Sequence, residues 1–329
     1  MFRLIASGFL VLAFGATTDV AGQEPQSFTN PVYPHDFPDP HLIRSGDRYY
    51  AYGTQTRGTG FQLLESPDLV RWTSRVLEFP VPWATEHYWA PEVLELGGTF
   101  YLTYSALDPD SRKHHIAVAT ADKPTGPFQH QAILVRGDDN KVGVIDATIF
   151  FDAGVPYLIY SEETPRRVVL KRLRADLLAT EGEPVELIKP DQPWERGVVE
   201  APTILLRNGL YHLFYSGAGF QGNKETCRYA VGHATSRSLA GPYTKTPEPI
   251  LKTVEGQVYG PGHQSLIEAK DGSLWMFYHG WNDEGQPHYG QNPVGRSMRM
   301  ERVVWTGDVP RLDGPSVQPK PAPSAPGVR

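Results

Sequence analysis

A pattern recurs five times along the chain, and it constrains the fold more than any other feature. A small or acidic loop leads into an apolar strand, a Gly-centred turn follows, and an aromatic strand closes the unit on Tyr-Ser or an equivalent. The copies are FPDPHLIRSGDRYYAYGT (37–54), WAPEVLELGGTFYLTYS (89–105), IDATIFFDAGVPYLIYS (145–161), VEAPTILLRNGLYHLFYS (199–216) and GPGHQSLIEAKDGSLWMFYHG (260–280). Aligned on the polar residue of the loop, they coincide at Asp39, Glu92, Asp146, Glu200 and His263, with spacings of 53, 54, 54 and 63 residues. Each copy reads as a hairpin of two alternating strands about a short turn. Several continue into a third strand, as in HIAVAT (115–120) and RYAVGHAT (228–235), and a fourth after KPTGPFQHQAIL or LAGPYTKTPEPIL. Four strands at a period near 50 residues describe a propeller blade, so the chain is expected to be all-β, a five-bladed β-propeller with four-stranded antiparallel blades spanning 23–313. The competing fold is a β-sandwich with chance turn spacing.

The flanks read differently. Residues 1–22 resemble a signal peptide: Arg3 supplies the positive region, Leu4 to Gly15 the short apolar core, and Val20 and Gly22 permit cleavage before Gln23. That apolar run is too short for a membrane span, which predicts an exported protein, periplasmic or extracellular, with no membrane association after cleavage. Residues 314–329 are Pro-rich without apolar periodicity and are expected to be a disordered tail. A net charge of −6 with no basic stretch argues against a nucleic-acid partner. The single cysteine, Cys227, forms no internal disulfide and no zinc site, and a buried structural thiol is expected.

In a propeller the leading ends of the innermost strands converge on one face of the central channel, which gathers residues far apart in sequence. Asp39, Asp146 and Glu200 head the first, third and fourth copies. Taken singly, Asp before Pro is a turn element and Glu200-Ala201-Pro202 a strand start. Together, clustered carboxylates suit either Ca2+ binding or glycosidic hydrolysis, where one acid protonates the leaving oxygen and another carboxylate attacks or activates water. Mutual repulsion raises one pKa and keeps that group protonated. Phe37, Trp89, Trp194 and Tyr160 lie beside the loop positions, where flat rings stack on sugars, although core packing is their ordinary role. Arg296 offers a bidentate partner for a carboxylate or sugar hydroxyls. His263 stands at the expected axis, as an ion ligand or substrate contact. The pair His114-His115 shows no partner that would complete a metal site.

The motifs NPVYPHDFPDPHLIRSGDRYYAYGT, YWAPEV, VIDATIFFD, VEAPTILLRNGLYHLFYS and GPGHQS, in this order from about Asn30 to Leu312, resemble glycoside hydrolase family 43. The resemblance implies a five-bladed propeller and an inverting mechanism on α-L-arabinofuranosyl or β-D-xylosyl linkages. It implies that Asp39 is the general base, Glu200 the general acid and Asp146 the group that tunes the acid's pKa and orientation. By the same resemblance His263 lies beside a Ca2+ held largely through water, Arg296 reaches the active-site sugar, and no cofactor is needed for the chemistry. Ala147-Thr148 departs from the Pro-Ser found in many relatives, and no β-sandwich follows the propeller. The expected substrate is an arabinose- or xylose-containing oligo- or polysaccharide, with arabinofuranosidase or arabinanase ahead of β-xylosidase. The loops 78–91 and 217–229 decide between an exo pocket and an endo groove, and the second is long enough to wall off one side. A non-catalytic carbohydrate-binding propeller and a fructan-acting or phosphorolytic relative are the alternatives. Inversion requires the Asp39 and Glu200 carboxyls to stand roughly 6.5–9.5 Å apart.

Overall fold

The computed structural model describes residues 26–55, 60–77, 79–137, 143–220, 226–282 and 295–324; the expected signal peptide lies outside the described residues. Two short strands come first, β1 (Ser27–Phe28) and β2 (Tyr33–Asp36). Blade I follows with β3 (His41–Ser45), β4 (Arg48–Gly53), β5 (Gln62–Ser66) and β6 (Thr73–Arg75). Blade II comprises β7 (Trp89–Leu96), β8 (Thr99–Leu107), β9 (His114–Ala121) and β10 (Gln129–Val135). Blade III comprises β11 (Val144–Asp152), β12 (Val155–Glu163), β13 (Arg166–Leu173) and β14 (Thr180–Ile188). Blade IV holds β15 (Val199–Arg207), β16 (Leu210–Gly217), β17 (Ala230–Ser236) and β18 (Thr244–Lys245). Blade V holds β19 (Val258–Glu268), β20 (Leu274–Asn282) and β21 (Ser297–Thr306), and its fourth strand is β2 from the other end of the chain. All these pairings are antiparallel, and the inner strands pack in a ring, β3 on β7, β11, β15 and β19 in turn, with β19 returning to β3. The protein is a five-bladed β-propeller of four-stranded blades, as the repeat predicts, closed by pairing an N-terminal strand into the last blade.

The aromatic second strands explain how the blades adhere. Along a strand, alternate side chains face opposite ways. In β4, Tyr49 and Ala51 pack toward blade V while Tyr50 and Tyr52 pack toward blade II. In β12, Leu158 and Tyr160 face blade II, and Tyr157 and Ile159 face blade IV. Each of these strands is buried on both faces, so the continuous apolar runs are blade-to-blade cement, at about 1.5–3 kcal/mol per large side chain removed from water.

That geometry corrects two expected sugar contacts. Tyr160 is fully buried between blades II and III, and its hydroxyl finds no hydrogen-bond partner among the described residues. Phe37 is fully buried between blades V and I, its ring so close to Gly53 that a Cβ there would sit 2.9 Å from it. The C-terminal expectation also changes. β22 (Val309–Leu312) pairs with β21, and β23 (Lys320–Pro321), inside the Pro-rich stretch, pairs with β1. Lys320 forms an ion pair with the fully buried Glu301. Residues 314–324 are a strap rather than a disordered tail, because Glu301 draws both Lys320 and the Ser316 N–H onto it.

Candidate active site

The head of every inner strand carries one residue with left-handed backbone: Asp39 (φ 56°), Ala90 (44°), Asp146 (57°), Ala201 (53°) and His263 (49°). In blades II to V this residue falls within a register shift of the inner hairpin. The shift turns the strand's leading end toward the channel. Asp39, Asp146 and His263 thus stand at equivalent positions. Glu200 comes one residue earlier than its equivalent, Ala201, and Glu92 two residues later than Ala90. The expected place of Glu92 at the site is therefore taken by Ala90, and Glu92 lies 3.5 Å from His41 Nδ1 in a separate small cavity.

A cavity of about 100 Å3 opens where these heads converge. It gathers Asp39, Asp146, Glu200, Trp89, His263 and Arg296, six of the residues singled out from the sequence. A larger cavity of about 800 Å3 lies under the C-terminal strap at the outer edge of blade V, where Glu301 is already neutralised by Lys320.

The three carboxylates occupy different electrostatic settings. Asp39 Oδ1 lies 3.2 Å from Arg296 Nη1 and 3.2 Å from His263 Nδ1. Burial pushes its carboxyl upward, but the Arg296 guanidinium, with His263 and His279 behind it, holds it well below the usual carboxylate range. The His279 imidazole is pushed down to about 3 by burial and by Arg296, so it is neutral. Its Nδ1 accepts the Asp39 backbone N–H at 3.1 Å, which leaves Arg296 as the cation that matters. Asp146 is raised well above the usual range by burial first, then by the negative fields of Glu200 and Asp39. Glu200 is also raised, by burial, although Arg166 Nη1 donates to its Oε2 at 2.7 Å and the Tyr229 hydroxyl to its Oε1 at 2.8 Å. One carboxyl is thus held low beside two that are raised.

The model of glycosyl hydrolases family 43 matches residues 28–310. The chain belongs to this family. It is therefore a glycoside hydrolase. It is similar to a β-D-galactofuranosidase of Aspergillus niger, 30% identical over 76% of this chain and 75% of the relative. It is also similar to an extracellular exo-α-(1→5)-L-arabinofuranosidase of Streptomyces avermitilis, 27% identical over 95% of this chain and 70% of the relative. Among solved structures, a thermostable family-43 glycoside hydrolase superposes with a TM-score of 0.80 at 31% identity, over 91% of this chain and 99% of the other.

The family 43 site contains side chains that the repeat did not announce. Arg166 begins β13 just beyond the third copy, and Tyr229 and Phe220 flank residues 221–225, which are outside the described residues. The Arg296 guanidinium lies 4.8 Å over the Phe220 ring. The buried Cys227 thiol, as expected from its apolar setting, supports this segment from behind, in contact with the Phe220 carbonyl. Trp89 stacks on His87 at 4.6 Å and lies 4.2 Å from His114. His114 Nδ1 lies 2.8 Å from Glu163, so it carries the proton, and its Nε2 accepts from His87 Nδ1 at 3.1 Å. The histidine thus props Trp89 and Glu163. Among the described residues no group of three or more His, Cys, Asp or Glu converges as a metal shell. Of the missed residues, Thr54, which also lines the cavity, alone left a signal: it ends the first copy where Ser105, Ser161 and Ser216 end the second, third and fourth.

Proposed function

We propose that this enzyme releases single terminal α-L-arabinofuranosyl residues with inversion, using Asp39 as general base, Glu200 as general acid and Asp146 to tune Glu200. The observation that carries the roles is the placement of the Arg296 guanidinium 3.2 Å from Asp39 Oδ1, which holds that carboxyl well below the usual range while burial raises Asp146 and Glu200. A base must arrive ionised and an acid must arrive protonated. In the step, Asp39 takes a proton from water as the water oxygen bonds to C1. The C1–O bond to the leaving group breaks, and Glu200 gives its proton to that oxygen. Arg166 and Tyr229 then stabilise the glutamate that remains.

An exo mode is supported by size. A cavity of about 100 Å3 is well under the roughly 300–1,000 Å3 of sites for larger ligands and suits one ring. Trp89 and Phe220 supply its flat walls. Arabinose is favoured by relatives named exo-α-(1→5)-L-arabinofuranosidase in Streptomyces avermitilis and Streptomyces chartreusis. Export, carried by residues 1–22, is in keeping with the word extracellular in the names of relatives from Streptomyces avermitilis and Bacillus subtilis. A Ca2+ held through water beside His263 would add a fixed positive charge at the axis.

The test is a panel of 4-nitrophenyl α-L-arabinofuranoside, β-D-xyloside and β-D-galactofuranoside with linear arabinan and xylan, followed by NMR of the first-formed anomer. Arabinose released singly, in the inverted configuration, is expected. Preferential turnover of the xyloside or galactofuranoside, or internal cuts in arabinan, overturns the sugar or the mode. Retained configuration overturns the role of Asp39.

A further inference from the structure

Adjacent blades are joined at the active-site mouth by one repeated hydrogen bond. The backbone N–H of each left-handed head residue is accepted by the side chain that ends the previous blade's hairpin. Ala90 donates to Thr54 Oγ1 at 2.8 Å, Asp146 to Ser105 Oγ at 3.1 Å, His263 to Ser216 Oγ at 2.8 Å and Asp39 to His279 Nδ1 at 3.1 Å. By this rule the N–H of Ala201 belongs to Ser161, which stands opposite Ile145 as Ser105 stands opposite Trp89 and Ser216 opposite Glu200. Instead, Ala201 donates to Asp146 Oδ2 at 3.1 Å, and the buried Ser161 hydroxyl has no partner among the described residues.

Blade I displays the alternative. There Thr54 Oγ1 both donates to the head carboxylate of its own blade, Asp39 Oδ2, at 2.5 Å and accepts the N–H of the next head. Asp146 is the head carboxylate of blade III, and Ser161 holds the position of Thr54. Blades I and III therefore show two arrangements of one device. In the first the hydroxyl mediates between carboxylate and next blade, and in the second the carboxylate takes the N–H directly. An unpaired buried hydroxyl is unfavourable, so its retention calls for a state in which it is used.

We propose that Ser161 is a positioning residue that takes over the Ala201 N–H when Asp146 becomes protonated or turns toward substrate, so that Glu200, the neighbour of Ala201, stays in place while Asp146 changes state. An ionised Asp146 is the better acceptor and keeps the N–H. A protonated one releases it, and without Ser161 that N–H would be left buried and unpaired. The groups facing Asp146 in this exchange are Glu200, Asp39, Arg166 and Tyr229. The inference rests on Asp146 as the tuning group.

The test reads Asp146 directly, without substrate, by 13C NMR titration of aspartate carboxyls in the full chain, the resonance being assigned by its loss in Asp146→Asn. Ser161→Ala removes a group that serves only the protonated state, so the Asp146 midpoint is expected to fall by about 0.4–1 pH unit. Ser161→Thr, which copies Thr54, is expected to restore it. The unfolding temperature of Ser161→Ala should stay at the wild-type value, whereas Ser216→Ala, which strips the partner from His263, should unfold lower. An unchanged or raised midpoint overturns the proposal. A loss of stability equal to that of Ser216→Ala also overturns it, because Ser161 would then already hold the N–H. Failure of every pentoside to turn over would remove the proposed substrate and leave this titration intact.

Discussion

Replacing Arg296 by methionine isolates the cation that sets the base. The guanidinium lies 3.2 Å from Asp39 Oδ1, and both residues are under a tenth exposed. Methionine keeps much of the volume and removes the charge. An opposite charge at this range lowers a carboxyl pKa by about 1–3 units, and without it only His263 and His279 oppose burial. The acid limb of kcat/KM, which reports the free enzyme's base, is expected to move up by about 1–3 pH units. Arg296→Lys keeps a charge and should hold the limb within about a unit of wild type. Both variants lose contacts with the cavity and with Phe220, so both lower kcat/KM in amplitude; the limb's position is the discriminating readout.

Stability supplies an independent sign. In wild type the folded pKa of Asp39 is depressed, so its contribution is present above the unfolded value of about 3.9 and is lost as pH falls through the folded one. In Arg296→Met the folded value should rise, so less of that contribution remains at neutral pH and acidification should ease the cost of the buried carboxylate. Breaking such a pair costs about 3–5 kcal/mol near neutrality. The experiment is a kcat/KM profile on the best aryl glycoside with thermal unfolding from pH 4 to 8. A folded Arg296→Met enzyme whose acid limb stays at the wild-type pH would refute the account of how Asp39 is kept ionised.

Further expectations follow from the same contacts. Asp39→Asn should abolish turnover whatever the leaving group, whereas Glu200→Gln should lose about 10²–10⁴ in kcat on natural linkages and far less on activated aryl glycosides, measured by leaving-group dependence. Tyr229→Phe removes a donor that lowers Glu200, so the alkaline limb of the pH–rate profile should shift upward, by less than a unit. Tyr160→Phe deletes a buried unpaired hydroxyl and should leave KM unchanged and the unfolding temperature equal or higher; a raised KM would reinstate Tyr160 as a sugar contact. Truncation after Asp313 strips Lys320 and the Ser316 N–H from the buried Glu301 and should destabilise by about 3 kcal/mol, read as a lower denaturation midpoint.

The repeat was legible because each blade solves the same packing problem: a hairpin buried on both faces demands the same alternating aromatic strand. Asp39, Asp146 and His263 were legible for the same reason, since they occupy one backbone position in three blades. Glu92 misled because polar residues were aligned with polar residues, whereas the structure aligns left-handed backbone, which Ala90 and Ala201 mark only by the proline that follows each, as Pro40 follows Asp39. Phe37 and Tyr160 misled because an aromatic ring beside a loop looks the same whether it faces sugar or the next blade. Arg166, Tyr229 and Phe220 were hidden because they lie beyond the five aligned hairpins, at or before the third strands, where the copies have no residue in common to align on. The strap failed on composition: Pro-rich sequence pays no core, yet Glu301 needed a cation, and Lys320 was within reach.

The heads of the inner strands do two jobs at one backbone position. Left-handed backbone at a residue other than glycine costs about 1–2 kcal/mol, and aspartate tolerates it better than most. Closing the ring already uses this bend in every blade, because the N–H it presents is accepted by the preceding blade, by the end of its hairpin in four cases and by the Asp146 carboxylate in the fifth. A carboxylate mounted there is therefore held by contacts that the fold makes for its own closure, with Asp39 and Asp146 as the two instances. The arrangement separates chemistry from specificity: the heads, fixed by the ring, set the acid and base, while Trp89 and Phe220 shape the cavity around them. Changes to the walls should accordingly alter which sugar is accepted while leaving the pH limbs where Arg296 and the carboxylates put them. A wall substitution such as Phe220→Leu is the sharpest instance, since it also touches Arg296: if it moved the acid limb as far as Arg296→Met does, the two functions would not be separable.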